Sequence, residues 1–173
     1  MKIKVSLDTQ SINAAIKQLN DYAKRVDRAG AEIASRLADI GYDVAYGIIS
    51  GHVFSGETLG SLEVVQENGK YILRAGSKAL LFFEFGAGLI GDGHQMARDF
   101  GYGPGTYPGQ THAFDPNGWW FPTDDERLII RRSKNGQGWG HSYGTEPHMP
   151  FYLADREIRE NILKVAKEVI QGG

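Results

Sequence analysis

The sequence of 173 residues contains no cysteine, which excludes disulfide bonds, thiolate catalysis and cysteine-based zinc sites. It also lacks any block of lysine and arginine, and its formal net charge is -2. Tight nucleic-acid binding depends on a basic footprint, so the sequence does not predict it. No apolar run approaches the length needed to span a bilayer, and residues 1–6 lack the apolar core of a signal peptide. We therefore expect a protein made in a reducing cytosol and used there, or in a particle assembled there.

The composition is that of an ordinary globular protein, with 41% hydrophobic and 23% charged residues. The length fits a single domain, residues 1–173, that can bury a core of its own. Glycine is the exception, because its 23 residues are concentrated between Gly86 and Gly144. This concentration predicts one long, turn-rich insertion at about residues 89–143.

Two helices are predicted, one near each end of the chain. Apolar residues recur at steps of mostly three and four from Ile12 to Ile48, which predicts a helix ending at about Gly51. At the rise of an α-helix it is roughly 60 Å long, more than a compact domain needs. Gly30 interrupts the row and can kink or split the helix. Either the helix packs wholly in the core, or part of it projects to contact a neighbouring subunit.

The second helix is predicted to begin at Pro150, where the missing proline amide costs nothing. Residues 62–67 and 71–75 are predicted to be strands of a hairpin, because Asn68-Gly69 between them favours a type I′ turn. Ile3, Val5 and Leu7 alternate with polar residues and predict another strand.

Residues 118–121 and 127–131 add two further candidate strands within the insertion. We therefore predict an α+β fold, in which a small, mainly antiparallel sheet is packed by a long N-terminal helix and a C-terminal helix.

The most apolar stretch is residues 80–85, Leu-Leu-Phe-Phe-Glu-Phe, which should be buried in a core or against a partner. We predict a short helix there, with a buried strand as the alternative. Glu84 within it needs a partner, because a bare buried carboxylate is costly. We expect a structural carboxylate, bonded to neighbouring backbone amides or to a basic side chain across an interface. A general base with a raised pKa is the alternative.

The sequence contains two patterns that can indicate a cofactor or a metal site, but neither has the surrounding structure or spacing that such a site requires. Gly86-Ala87-Gly88-Leu89-Ile90-Gly91 has the spelling G-x-G-x-x-G, but no strand–helix alternation surrounds it, so no cofactor is predicted. Four histidines lie in the loop half of the chain without the spacing of metal ligands, so no metal is predicted either; they are His94, His112, His141 and His148. The aromatic residues of the insertion favour protein contacts over stacking on sugars or bases.

Three segments resemble one known family in order and spacing. Residues 54–62, FSGETLGSL, are similar to its TG-x-L-x-x-SI segment, and residues 79–88, ALLFFEFGAG, resemble its YA-x-x-VEFGTG signature. Residues 144–154, GTEPHMPFYLA, are similar to its G-x-x-P-x-PF-L-x-PA start of the last helix. The family comprises the small head–tail connector, or tail-component, proteins of long-tailed bacteriophages and prophages, sometimes called minor capsid proteins.

The resemblance implies a non-enzymatic structural protein of the virion neck or upper tail, present in the host cytoplasm during assembly. It implies a ring of six copies, with twelve as the alternative, between a portal-side adaptor and a tail terminator or tail tube protein. DNA would pass through its lumen without specific binding, and no membrane is involved. Two alternatives stay open: a metal-dependent hydrolase using the loop histidines, and a tail terminator or minor tail protein.

We predict that seven residues of the apolar run and the insertion make the subunit contacts. They are Phe83, Glu84, Phe85, Trp119, Trp120, Phe121 and Trp139.

Overall fold

The computed structural model describes residues 4–52, 56–77, 80–91, 94, 96–101 and 115–172. The elements follow in the order α1 (Thr9–Ser50), α2 (Gly56–Ser61), β1 (Glu63–Glu67), β2 (Lys70–Arg74), α3 (Leu80–Phe85), β3 (Trp119–Pro122), β4 (Arg131–Arg132), β5 (Gly138–Ser142) and α4 (Pro150–Gly172). Two short 3₁₀ turns, Leu89–Gly91 and Ala97–Phe100, lie between α3 and β3. The predicted α+β class is confirmed.

The long N-terminal helix is one uninterrupted element of 42 residues that runs through Gly30. Asp8 caps its start, because the Asp8 Oδ1 atom accepts a hydrogen bond of 2.8 Å from the amide of Ser11. The helix ends before Gly51, as predicted. None of the helices in the described ranges is both long and apolar enough to cross a membrane.

Helices α1 and α4 pack side by side and form the frame of the molecule. At Gly41 they approach so closely that an added Cβ atom would lie 2.7 Å from the Cδ1 atom of Ile158. Nearer the N-terminus of α1, Gly30 and Ile33 lie beside Val169 and Ile170 of α4. The pairing of early α1 with late α4 shows that the two helices are antiparallel.

The core lies where the C-terminal half of α1 meets α4 and the hairpin. Ala45, Ile49, Leu62 and Ala154 are buried there, and Leu73 of β2 packs against them. The small side chains on α1 let the helices and the hairpin come close together.

The hairpin is confirmed, with Val64 opposite Leu73 and Val65 opposite Ile72. Its turn residues Asn68 and Gly69 have φ angles of 50° and 76°, so both adopt the left-handed conformation that a type I′ turn requires. The local sequence alone therefore specified this element correctly.

The second sheet has the strand order β3-β5-β4. Strand β3 agrees with the prediction for residues 118–121, but the strand predicted at 127–131 is wrong apart from Arg131. Asp125 accepts a 3.0 Å hydrogen bond from the amide of Arg127, and its carbonyl accepts one of 2.9 Å from Leu128. These bonds make a turn, because a short acidic side chain competes with strand pairing.

The strand predicted from Ile3, Val5 and Leu7 is also wrong in the part that is described. Residues 4–8 form no strand, and the side chains of Val5 and Leu7 are exposed. The segment instead bends into the cap of α1, where the Ser6 amide donates a hydrogen bond of 2.9 Å to the Ser11 hydroxyl. Ile3 lies outside the described residues.

The close approach at Gly41 predicts that Gly41→Val destabilises the protein, by about 1–3 kcal/mol in the free energy of unfolding, because the branched side chain forces α4 away. Gly47→Ala is the matched control on the same helix, where a Cβ atom meets nothing within 4 Å. That control should stabilise the protein by about 0.5–1 kcal/mol. Urea unfolding measures both, and equal stabilities of the two variants would contradict this packing.

Candidate functional site

The candidate site is the junction where α3 meets the start of α4, with Glu84 at its centre. The side chain of Glu84 is buried, at 8% exposure. Its Oε2 atom accepts a 2.8 Å hydrogen bond from the amide of Phe151, and Oε1 accepts one of 3.0 Å from the amide of Tyr152. The partners lie 67 and 68 residues away in the sequence. Glu84 therefore caps α4 from another helix.

The whole first turn of α4 is satisfied in this way. The Phe83 carbonyl accepts hydrogen bonds from the amides of His148, at 2.8 Å, and Met149, at 3.2 Å. Pro150 has no amide to satisfy, and the amide of Leu153 makes the first intrahelical bond, to the Met149 carbonyl. A negative charge here also interacts favourably with the positive end of the helix dipole. The structure thus confirms the expectation that Glu84 is bonded to backbone amides.

His94 completes the shell around the carboxylate. Its Nε2 atom lies 3.0 Å from Glu84 Oε1, and its Nδ1 atom accepts a 3.0 Å hydrogen bond from the amide of Met96. Because Nδ1 accepts this hydrogen bond, it carries no proton, and the ring proton lies on Nε2. The Nε2–H group of His94 therefore donates to Glu84 Oε1. The imidazole is buried and lies against the rings of Phe85 and Tyr152, at centroid distances of 4.7 and 5.3 Å.

The glycines of the G-x-G-x-x-G stretch are explained by close backbone contacts at this junction. Gly86 has a φ of +73°, and a Cβ atom there would lie 2.5 Å from the Thr145 carbonyl oxygen. Next to it, Ala87 and Thr145 exchange two backbone hydrogen bonds of 2.8 and 2.9 Å. Gly88 packs against the ring of Trp119. These residues join the segment after α3 to the segment before α4.

A pair of histidines flanks the junction. The rings of His52 and His148 lie 3.8 Å apart, and both face Phe83. Burial, and then the nearby His52, lower the pKa of His148 from its usual 6.5, while Glu146 acts in the opposite direction. His148 therefore prefers its neutral form in the folded protein.

The seven residues predicted to make subunit contacts fall into two groups. Phe83 and Glu84 are buried against their own chain and offer little surface to a neighbouring copy, while Phe85 is half-buried beside His94 and Phe100. The other group lies on the second sheet. Their role in subunit contacts stays a prediction.

On that sheet, the aromatic residues divide between two faces. The ring of Phe121 covers Gly140 and that of Trp119 covers Gly88, so both point inward, whereas Trp120 is 40% exposed on the other face. The guanidinium of Arg131 lies 3.8 Å from the centre of the Trp120 ring. Trp139, which pairs with Arg131 across the strands, is half-buried. The arrangement of Trp120 beside an arginine is typical of protein contact surfaces.

The loop histidines have separate environments. His94 contacts Glu84, His148 contacts His52, and His141 lies against Trp120 and Tyr143. His112 is outside the described residues. Among the residues that are described, no three potential ligands are grouped closely enough to hold a metal ion.

Sequence analysis found Glu84 but missed its contact with His94 and the pairing of His52 with His148 beside Phe83. His94 comes ten residues later, in an irregular segment where spacing carries no structural information. The pairing of His52 with His148 joins residues almost a hundred positions apart. The one usable signal was the burial of a carboxylate, which requires hydrogen-bond donors without identifying them.

Comparisons with protein-family models, curated proteins and solved structures found no match for this chain.

The contacts of Glu84 predict that Glu84→Gln lowers the free energy of unfolding by about 1–3 kcal/mol. Three N–H groups converge on its two carboxylate oxygens, whereas glutamine offers one acceptor oxygen and an amide that repels a donor. Glu160→Gln is the matched control, because its ion pair with Arg156 is exposed and 3.8 Å long. Chemical denaturation measures the difference, and an unchanged midpoint for Glu84→Gln would show that the cap is dispensable.

The lowered pKa of His148 predicts a loss of stability in acid. Because the unfolded chain binds the proton more readily, this contribution is complete above a pH of about 6.5 and decreases as the pH falls toward the lower folded pKa. His148→Gln should therefore lose less stability than the wild type between about pH 7.5 and pH 5.5. His52→Gln removes only the effect of the neighbouring imidazole on the pKa of His148. Its loss of stability over this pH range should lie between those of His148→Gln and the wild type. Parallel pH profiles of urea midpoints for all three proteins would refute this assignment.

Proposed function

We propose that this protein is a structural component of the neck or upper tail of a long-tailed bacteriophage, where identical copies form a ring. In this proposal the ring joins the portal-side adaptor to a tail terminator or tail tube protein and lets DNA pass. The protein is not an enzyme.

The observation that carries the proposal is that the third family-like segment contacts both of the others. Leu62 of the first segment is packed in the core beside Ala154 of the third. The second and third segments are joined by the bonds of Glu84 and Ala87. Residues 54, 55 and 79, which belong to the first two segments, lie outside the described residues.

The polar groups of these segments hold the backbone together. Glu84 caps α4, the Ser61 hydroxyl donates to the Thr58 carbonyl at 2.8 Å, and Thr58 is fully buried, with its hydroxyl bonded to that of Ser77. Such use of motif residues supports a shared scaffold more than a shared catalytic centre. The resemblance in sequence therefore has a structural meaning that suits a connector protein.

The surface supports assembly as well. Large apolar side chains are exposed along α1 and α4, including Leu19 at 54%, Leu163 at 74% and Ile170 at 68%. Single exposed apolar residues are common, but rows of them mark contact sites. A heterologous interface that closes on itself would cover such rows in every copy and produce a ring. The net charge of -2 is consistent with a lumen through which DNA passes without binding.

Native mass spectrometry of the purified chain tests the ring. We expect a species with six times the chain mass of 19.1 kDa, or twelve times that mass. Imaging of the intact particle then tests the position between adaptor and tail, and separates a connector from a tail terminator.

A chain that stays monomeric both in solution and in the particle would overturn the proposal. Metal analysis of the same sample tests the enzymatic alternative, because stoichiometric zinc or manganese would favour a hydrolase.

A further inference from the structure

The hairpin formed by β1 and β2 is a sheet of only two strands. No other strand in the described part of the chain pairs with either of them. Helix α1 packs against one face of the hairpin, where Leu73 lies against the core, and the other face carries exposed side chains. Each strand therefore has a free edge, and a free strand edge is a template for pairing with another strand.

The turn geometry shows which backbone groups lie on these two edges. A two-residue type I′ turn closes with a hydrogen-bonded pair, which here is Glu67 and Lys70. Hydrogen-bonded and non-hydrogen-bonded pairs alternate along an antiparallel ladder, so the amides and carbonyls of every second residue point away from the partner strand. The residues with outward-pointing groups are Val64, Gln66, Tyr71 and Leu73. In the described ranges, these outward groups make no backbone hydrogen bond to another element.

The two strands carry opposite charges on their exposed face. Strand β1 has a net charge of -2, from Glu63 and Glu67, and strand β2 has a net charge of +2, from Lys70 and Arg74. Arg74 forms ion pairs with both glutamates, at 2.9 and 3.4 Å. Lys70, in contrast, has no ion-pair partner among the described residues. Two β1 edges or two β2 edges would therefore repel each other, whereas a β1 edge and a β2 edge attract.

The chain itself contains the strand that matches the β2 edge. Strand β1 runs antiparallel to β2, so a second copy in the same orientation presents a β1 strand that is antiparallel to the β2 strand of the first. The other described strands, β3, β4 and β5, contain no acidic residue. Charge and strand direction therefore both favour β1 of a second copy as the occupant of this edge.

The backbone groups and the side chains select the same register for this pairing. When Tyr71 lies opposite Gln66 of the second copy, the outward-pointing groups of the two strands form hydrogen bonds with each other. The facing pairs on the exposed side are then Lys70 with Glu67, Ile72 with Val65, and Arg74 with Glu63. A shift by two residues keeps the backbone bonds but places Ile72 opposite Glu67 or Glu63. The pairing with matched charges therefore repeats the register of the hairpin itself.

We infer that the β2 edge of one copy pairs with the β1 edge of a second copy, in this register, to form a continuous antiparallel sheet. Each copy then uses β2 toward one neighbour and β1 toward the other, which is the heterologous contact that a ring requires. A closed ring of such hairpins leaves no strand edge free. The inference rests on the proposed function only for the closure of the ring, and it identifies the surface through which the copies bind.

A proline on the β1 edge tests the backbone pairing. Gln66→Pro removes an outward amide that the hairpin itself does not use, and Gln66→Thr is the matched control that keeps this amide. The side chain of Gln66 is exposed, so circular dichroism should show the wild-type helical content for both variants. In sedimentation velocity, we expect the proline variant to associate at least about tenfold more weakly than the wild type and the threonine variant to associate like it.

Two charge reversals test the attraction between unlike edges. Lys70→Glu places an acid opposite Glu67 of the next copy, and Glu67→Lys places a base opposite Lys70 of the next copy. Each variant alone should associate about fivefold more weakly than the wild type, or more weakly still. In an equimolar mixture, the new acid of one variant faces the new base of the other, so association should recover. Mixing leaves the pairs within each hairpin unchanged, so recovery reports only the contact between copies.

The absence of cysteine allows a direct test of the register. In the inferred sheet, Ile72 and Val65 of the second copy form a non-hydrogen-bonded pair with Cα atoms about 4.5 Å apart, which is within the range of a disulfide. When Ile72→Cys and Val65→Cys variants are mixed and oxidised, a disulfide between the two chains is expected. Leu163→Cys mixed with Val65→Cys is the control, since Leu163 is exposed on α4, and this mixture should not cross-link.

The outcomes separate this inference from the proposed function. If Gln66→Pro still forms the wild-type ring and no cross-link joins positions 65 and 72, the edge pairing is wrong and the ring stands. A strand of a different protein as the occupant would also leave the cysteine variants without a cross-link, and would overturn the pairing of copies. A cross-linked species that is an open chain or a dimer in native mass spectrometry supports the pairing but contradicts the ring. A wild-type chain that is monomeric at every concentration, without the cross-link, overturns both.

Discussion

The bonds between the Glu84 carboxylate and the start of α4 determine how the chain is put together. A buried charge is tolerated because two backbone amides and the His94 imidazole surround it, and because it lies at the positive end of a helix dipole. Together with the hydrogen bonds of the Phe83 carbonyl, this contact fixes α3 against α4. The narrow turn at Gly86 then follows, since the backbone after α3 must pass within contact of Thr145.

The anchored start of α4 also determines what remains uncovered at the other end. From Pro150, α4 runs back along α1 and ends after 23 residues, whereas α1 has 42. The unequal lengths leave the part of α1 that precedes Gly30 beyond the end of α4. The packed core and the exposed apolar residues of α1 thus arise from the same antiparallel packing.

The junction and the surface have different chemical characters. At the junction, polar groups such as those of Ser61 and Glu84 are bonded to the chain itself, and the glycines admit close backbone contacts. On the surface, Leu19 of α1 and Trp120 beside Arg131 are accessible. We propose a neck or tail component because the family-like residues form the scaffold, while the accessible residues are of the kinds that bind other proteins.

The sequence by itself determined the elements whose causes are local. Periodicity specified α1 and α4, and Asn68-Gly69 specified the hairpin. The apolar run indicated a carboxylate in need of donors, but it was compatible with a helix or a strand. The N-terminal strand prediction was wrong over residues 4–7, because the backbone there bends into the cap of α1. Only the tertiary structure decided that the amide donors for Glu84 come from α4 and that β5 lies between β3 and β4. It also decided that α4 ends beside Gly30 and Ile33, so that α1 extends beyond it. The physical reason is that residues close in sequence determine which groups need a hydrogen bond and which helix face is apolar. The residues that provide the hydrogen bond, or cover the apolar face, are selected by packing across the whole chain.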